Sequence, residues 1–204
     1  MIDYDRFAAT PLASAPYDHL VVPGFVPHAD AIAAAASFPA RDLPGVLPAP
    51  AHPRDDACGH LLEELRGPRL TEAFADKYHL PLSPDTLMIT LRARTRPQDG
   101  RIHTDSETKV ITALIYLNDD WSSAGGRLRV LRGPVDIEDM AAEVPPLAGT
   151  LITFRRCERS WHGHKPFDGP RKAIMLNWMV DAATARREAL RHTVSAGVKS
   201  LFGV

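Results

Sequence analysis

The stretch "KVITALIYLN", residues 109–118, is one of six β-type runs that succeed one another from Pro84 onward. The others are "TLMITLRART" (86–95), "GRLRVL" (126–131), "GTLITFR" (149–155), "RSWHGHK" (159–165) and "RKAIMLNWMV" (171–180). Their β-branched and aromatic residues suit a pleated, half-buried surface. The turns between them, "RPQDG", "NDDWSSAGG", "PLAG" and "FDGP", are too short to carry the crossover helix that a parallel pair requires. The sheet is therefore expected to be mainly antiparallel, as a sandwich or a barrel, and a jelly roll fits this order of runs best.

Outward from that core the texture changes. Residues 1–83 read as helical support and loops: "HLVVPGFV" (19–26) as a short strand and turn, and "HADAIAAAASF" (28–38) as an alanine-rich helix with Asp30 near its start. The segment from Cys58 to Leu80 reads as two helices on either side of Gly67-Pro68. Repeated prolines over 40–57 disfavour regular structure and predict a surface loop or flap. Residues 181–204 read as a C-terminal helix with Leu190, Val194, Val198, Leu201 and Phe202 on one face, docking on its own sheet. The expectation is one domain over 1–204, with its β core at 84–180, as a monomer or homodimer.

Composition excludes several classes of function. With 45% hydrophobic and 24% charged residues and a formal net charge of -1, the chain has the balance of a globular protein and no bulk attraction for nucleic acid. Cys58 and Cys157 are far apart and form no CxxC pattern, so neither a disulfide framework nor a zinc knuckle is expected. The acidic start "MIDYDRFAAT" is unlike a secretion signal, and no run approaches the roughly 18 apolar residues of a membrane span. A cytoplasmic protein with a small-molecule or peptidyl substrate is the expectation.

Chemistry concentrates in the β core. In "HTD", residues 103–105, His103 and Asp105 are two apart, so from an extended chain both project toward one point. Alone the triplet is weak, since a surface histidine beside a turn aspartate has the same appearance. Downstream, "RSWHGHKP" (159–166) supplies His162 and His164, which share a face on a strand and which local spacing leaves equivalent. Two histidines and one carboxylate form a facial triad that holds Fe(II) and leaves positions open, although zinc accepts the same ligands.

The order HxD, then "YLN" (116–118), then Gly125-Gly126, then a histidine with an arginine nine residues beyond it resembles the 2-oxoglutarate/Fe(II)-dependent oxygenases, in particular the prolyl hydroxylase type. The resemblance spans roughly residues 84–180 and implies a double-stranded β-helix, a cupin-like form of jelly roll. It implies iron ligation by His103, Asp105 and a later histidine, and binding of the distal carboxylate of 2-oxoglutarate by Arg171. The nine-residue spacing back from Arg171 selects His162 as that ligand and leaves His164 on the pocket wall. An arginine suits the anchoring role because its planar fork matches a carboxylate and stays charged. Lys172, next along the strand, is expected to face the other way. Tyr116 matches the family tyrosine that supports the same carboxylate, and Asn177, at even separation from Arg171, is placed toward the same cavity.

Other residues read more plainly. Trp121 and Trp161 are expected to pack at strand edges, and Gly125-Gly126 to permit a turn or a close chain approach. The family's tyrosine about ten residues before the HxD histidine is missing. Arg92, Arg94 and Arg96 stand in that region and share a strand face, which would suit an anionic or carboxylate-bearing substrate if it looked into the pocket; a solvated strand edge is the expectation preferred. The implied cofactors are Fe(II), 2-oxoglutarate and O2, with ascorbate a compatible reductant. The implied reaction is hydroxylation of an unactivated C–H bond of an amino acid, peptidyl residue or other small metabolite, yielding succinate and carbon dioxide. Asp105 favours hydroxylation over halogenation, since the family's halogenases replace this carboxylate. The rival readings are a cupin-like metal enzyme that does not use 2-oxoglutarate and a degenerate binding domain.

Overall fold

The computed structural model describes residues 1–39 and 45–202. Among the described residues nine strands succeed one another: β1 (His19–Val22), β2 (Leu47–Pro48), β3 (Leu87–Thr95), β4 (Lys109–Tyr116), β5 (Leu128–Leu131), β6 (Met140–Val144), β7 (Leu151–Arg155), β8 (His162–Gly163) and β9 (Gly169–Met179). The α-helices described beside them are α1 (Tyr4–Ala9), α2 (His28–Ala36), α3 (Ala57–Arg66), α4 (Pro68–Tyr78) and α5 (Ala182–Phe202). The strands form a six-stranded sheet in the order β1-β7-β4-β9-β3-β2 and a three-stranded sheet in the order β6-β5-β8. Every strand pair is antiparallel, as the short connections require.

Alternation along β4 shows how the large sheet is used. Ile111, Ala113 and Ile115 enter the core that α1 to α4 build with the outer face, among Phe7, Phe25, Phe74 and Trp178. Leu114 and Tyr116 point the other way and pack with Leu128, Val130 and Val144 from the small sheet. Trp178 is fully buried, stacks on Phe74 at 4.5 Å and donates from Nε1 to Thr71 Oγ1 at 3.2 Å. The helices thus cover one face, and the opposite face is left to line the space between the two sheets.

Several expectations are refined. Strand β6 falls on "MAAEV", whose residues carry little intrinsic β preference; pairing with β5 decides its state. The run expected over 159–165 narrows to the two residues of β8, which join β5 through Val130↔His162 while an isolated bridge joins His103 to His162. Of the proline-rich segment 40–57, residues 40–44 lie outside the described residues, and Leu47–Pro48 adds a short edge strand to β3. The C-terminal helix docks through Ala185, buried against Met88 and Met179, whereas Leu190 is 65% exposed and does not mark the docking face. The other four positions of the proposed face lie among residues whose side chains are not described.

Candidate metal centre and cofactor pocket

The bridge between His103 and His162 is reciprocal: each backbone N–H donates to the other residue's carbonyl at 3.0 Å. It draws the HxD segment onto β8 and sets the two imidazoles 4.3 Å apart between ring centroids. His103, Asp105 and His162 each offer one ligand atom, and these atoms lie within 4.8 Å of one another. The Nδ1 of His103 is 2.8 Å from the carbonyl of Arg101, and the Nδ1 of His162 is 2.9 Å from that of Ser160. A carbonyl only accepts, so each Nδ1 carries the proton and each Nε2 keeps its lone pair for a metal. Burial pushes the His162 pKa down to about 4, which keeps the ring neutral and competent to ligate near pH 7.

Asp105 is held at both oxygens. Lys109 Nζ lies 2.7 Å from Oδ1 and Thr112 Oγ1 lies 2.5 Å from Oδ2. Burial alone would raise the pKa of this carboxyl, but Lys109 and His162 outweigh it and hold the group below the usual carboxylate range. Thr112 Oγ1 is also 3.1 Å from the Asn177 side-chain amide. A hydroxyl has one proton; while it donates to Asp105 it must accept from Asn177, which turns the amide N–H₂ toward Thr112.

Arg171 lies at the other end of the same cavity and is 3% exposed. Its Nε donates to the Gly126 carbonyl at 2.7 Å and a terminal nitrogen donates to the Tyr116 hydroxyl at 3.0 Å. The β3–β9 register shifts where Arg92 and Arg94 oppose Ala173 and Pro170, so the extra residue of the bulge falls at Arg171–Lys172. Bulges re-aim side chains. Here Arg171 turns into the cavity while Lys172 Nζ reaches the Ala35 carbonyl on the helical side, as expected of the neighbour. Gly126 has φ +76°, and a Cβ at Gly125 would lie 2.2 Å from the Pro166 carbonyl. The glycine pair therefore serves a turn and a close approach.

The cavity has a volume of about 440 Å³ and is lined by the three candidate ligands, Arg171, His164 and Asn177, among others. His164 is on its wall and outside the triad, its Nδ1 2.8 Å from the Lys165 carbonyl. Burial, reinforced by Arg171, depresses its pKa to about 4. Trp121 packs on Phe167 with ring centroids 4.6 Å apart and is half-buried, as is Trp161.

The expectation for the arginine row needs correction. Arg92 lines the cavity and pairs with Asp99 at 3.1 Å, while Arg94 pairs with the exposed Asp168 at 2.9 Å. The bulge divides the row, so the three do not form one solvated edge. The sequence reading also missed Lys109, Thr112 and Thr90. None belongs to a motif: Lys109 and Thr112 find Asp105 through tertiary contact, and Thr90 is placed by strand alternation.

The donor set fits both groups that the resemblance implies. Two imidazoles and a carboxylate suit Fe(II). Among the described residues no carboxylate pairs with the buried Arg171 guanidinium, although a charge so buried calls for an anionic partner. Thr90 Oγ1, on the cavity face of β3, is buried without a hydrogen-bond partner. A diacid bound between the metal and Arg171 would answer that unpaired charge.

Comparison with known proteins places the fold. The fold is similar to that of a Pseudomonas putida prolyl-4-hydroxylase, with a TM-score of 0.59, 21% identity, and coverage of 86% of this chain and 96% of that one. It is similar also to a prolyl 4-hydroxylase from Phytophthora capsici, with a TM-score of 0.60, 17% identity, and coverage of 87% and 65%. A third similar structure is the 2OG complex of the viral collagen prolyl hydroxylase of Paramecium Bursaria Chlorella virus-1, with a TM-score of 0.55, 13% identity, and coverage of 78% and 93%. No curated protein matches the sequence. Residues 90–180, which include the three candidate ligands, Tyr116 and Arg171, match the family model of the 2OG-Fe(II) oxygenase superfamily.

Proposed function

We propose that His103, Asp105 and His162 hold Fe(II) and that Arg171, supported by Tyr116, binds the distal carboxylate of 2-oxoglutarate in an oxygenase that hydroxylates a C–H bond. When bound, iron and 2-oxoglutarate supply the oxidising chemistry, in which O2 is consumed and succinate and carbon dioxide are released. The chain's own work is to bind, orient and exclude water. The two Nδ1–carbonyl hydrogen bonds fix the imidazoles in the ligating tautomer. Lys109 and Thr112 hold the Asp105 carboxylate in one orientation. Gly126 and Tyr116 fix the Arg171 guanidinium in the same cavity, and Leu114 and Leu128 supply part of its apolar wall.

The observation that carries this reading is the coexistence, in one cavity, of the triad and a buried arginine without a carboxylate partner among the described residues. The test is succinate formation from 2-oxoglutarate by the protein supplied with Fe(II), ascorbate and O2. The visible absorbance of the anaerobic iron–2-oxoglutarate complex gives a second measure. A cupin-like enzyme would bind iron without that absorbance or succinate, and a degenerate binding domain would not retain iron.

A further inference from the structure

Resting on the oxygenase reading above, we propose that the substrate is a free, amino-acid-sized carboxylic acid, enclosed by α5, and not a residue within a polypeptide. Along β9 the cavity runs from Arg171 past Met175 and Asn177 to Met179, and along β3 from Arg92 past Thr90 to Met88. The Arg171 end, with Arg92, Asp99 and His164, is the co-substrate's. The opposite end, beyond Asp105, is where α5 crosses. There Ala185 is 5% exposed and packs on Met88 and Met179, with Ala189 beside it. One turn further, Glu188, Arg191 and His192 border the cavity, and Arg191 pairs with Glu188 at 3.0 Å.

Size follows from this enclosure. Co-substrate and substrate must share about 440 Å³, toward the lower end of the about 300–1,000 Å³ typical of ligand pockets. A residue inside a polypeptide needs room for the chain to enter and leave, and α5 occupies one of those directions.

Charge narrows the class. Among the described residues, Arg92, Lys109, Arg171 and Arg191 line the cavity against Asp99, Asp105 and Glu188, an excess of one positive charge. Fe(II) and the 2-oxoglutarate dianion cancel each other, so the excess persists in the loaded site. At the substrate end the cations are Lys109, 19% exposed, and Arg191. One carboxylate balances one charge, whereas a phosphate ester near pH 7 brings about -1.5 to -2. The methionines Met88, Met175 and Met179 offer an adaptable apolar wall for the rest of a small molecule.

The experiment has two stages. Absorbance of the anaerobic iron–2-oxoglutarate complex, together with slow substrate-independent succinate release, first establishes the oxygenase reading; if both are absent, it is that reading that fails. The intact chain is then given a panel of free L-amino acids and small hydroxy acids, their carboxamides, and the same residues within N-acetylated, C-amidated tripeptides. We expect at least one free acid to shift the absorbance and raise succinate release, and its carboxamide to bind at least about tenfold more weakly, as for loss of one charge-assisted hydrogen bond. The matching tripeptide should do neither. Turnover of a blocked tripeptide as good as that of its free acid would overturn the proposal, as would equal binding of acid and amide. A panel in which no free acid moves the absorbance would also overturn it.

Discussion

Replacing Arg171 tests the cofactor pocket at its most informative point. The guanidinium is 3% exposed and makes two hydrogen bonds to the protein, to Gly126 and Tyr116, but no ion pair with a carboxylate among the described residues. In Arg171→Ala the distal carboxylate of 2-oxoglutarate would meet a cavity with no charge opposite it. Truncating one partner of a buried charge pair costs about 2 to 5 kcal/mol, which corresponds to a rise in Kd of about 30-fold to several thousand-fold. Arg171→Lys keeps the charge but loses the fork and cannot satisfy both Gly126 and Tyr116, so its Kd should fall between those of the wild type and the alanine variant. The substitution also strips a donor from two buried acceptors, at about 1–3 kcal/mol each, so the alanine variant should unfold more readily with or without ligand. The assay is an anaerobic titration of 2-oxoglutarate into iron-loaded protein, followed by visible absorbance, with thermal unfolding run alongside. Iron content should be retained, because none of the three candidate ligands contacts the guanidinium. An unchanged Kd in a folded, iron-loaded alanine variant would refute the assignment of Arg171.

Three further outcomes are expected. His162→Ala should lose iron, while His164→Ala, whose ring is outside the triad, should retain most of it; metal analysis after desalting shows which, and equal losses would remove the distinction. Cys58, 2% exposed, has its thiol pushed up to about 11 by burial. The protonated thiol is the form the fold favours, so its contribution is complete below the unfolded pKa near 9 and is lost as pH rises from about 9 toward 11. The loss reaches about 2–3 kcal/mol, and urea unfolding across that range should show it in the wild type and not in Cys58→Ala. Trp178→Ala should cost about 3–5 kcal/mol in equilibrium unfolding, since it empties the space against Phe74 and leaves Thr71 without its donor.

The extent to which the sequence discloses this site depends on the range over which each interaction acts. Strands β3, β4, β7 and β9 are readable because their β-branched runs are long and their turns short, and both properties are local. His103 and Asp105 are readable because a two-residue spacing aims both at one point, and Arg171 because the family spacing carries it. By contrast, β6 is composed of residues with little strand preference and exists because β5 presents an unpaired edge. Arg92 follows Met88 and Thr90 onto the cavity face by the regular alternation of β3, and the β9 bulge falls just beyond it, before Arg94; no residue type in the run announces that bulge.

The partners of Asp105 illustrate the same limit within the site itself. Lys109 is four residues away and Thr112 seven, both on β4, yet their roles follow from where β4 passes the HxD turn. Asn177 completes the arrangement from β9, paired with Thr112 across the sheet. The register that buries Ile111 and Trp178 against the helices also turns Thr112 and Asn177 to the alternate face, where Thr112 reaches the candidate ligand Asp105 and Asn177 reaches Thr112. The orientation of Asp105 is therefore a product of core packing: a one-residue slip of β4 against β9 would expose the apolar set and withdraw both supports from the carboxylate together.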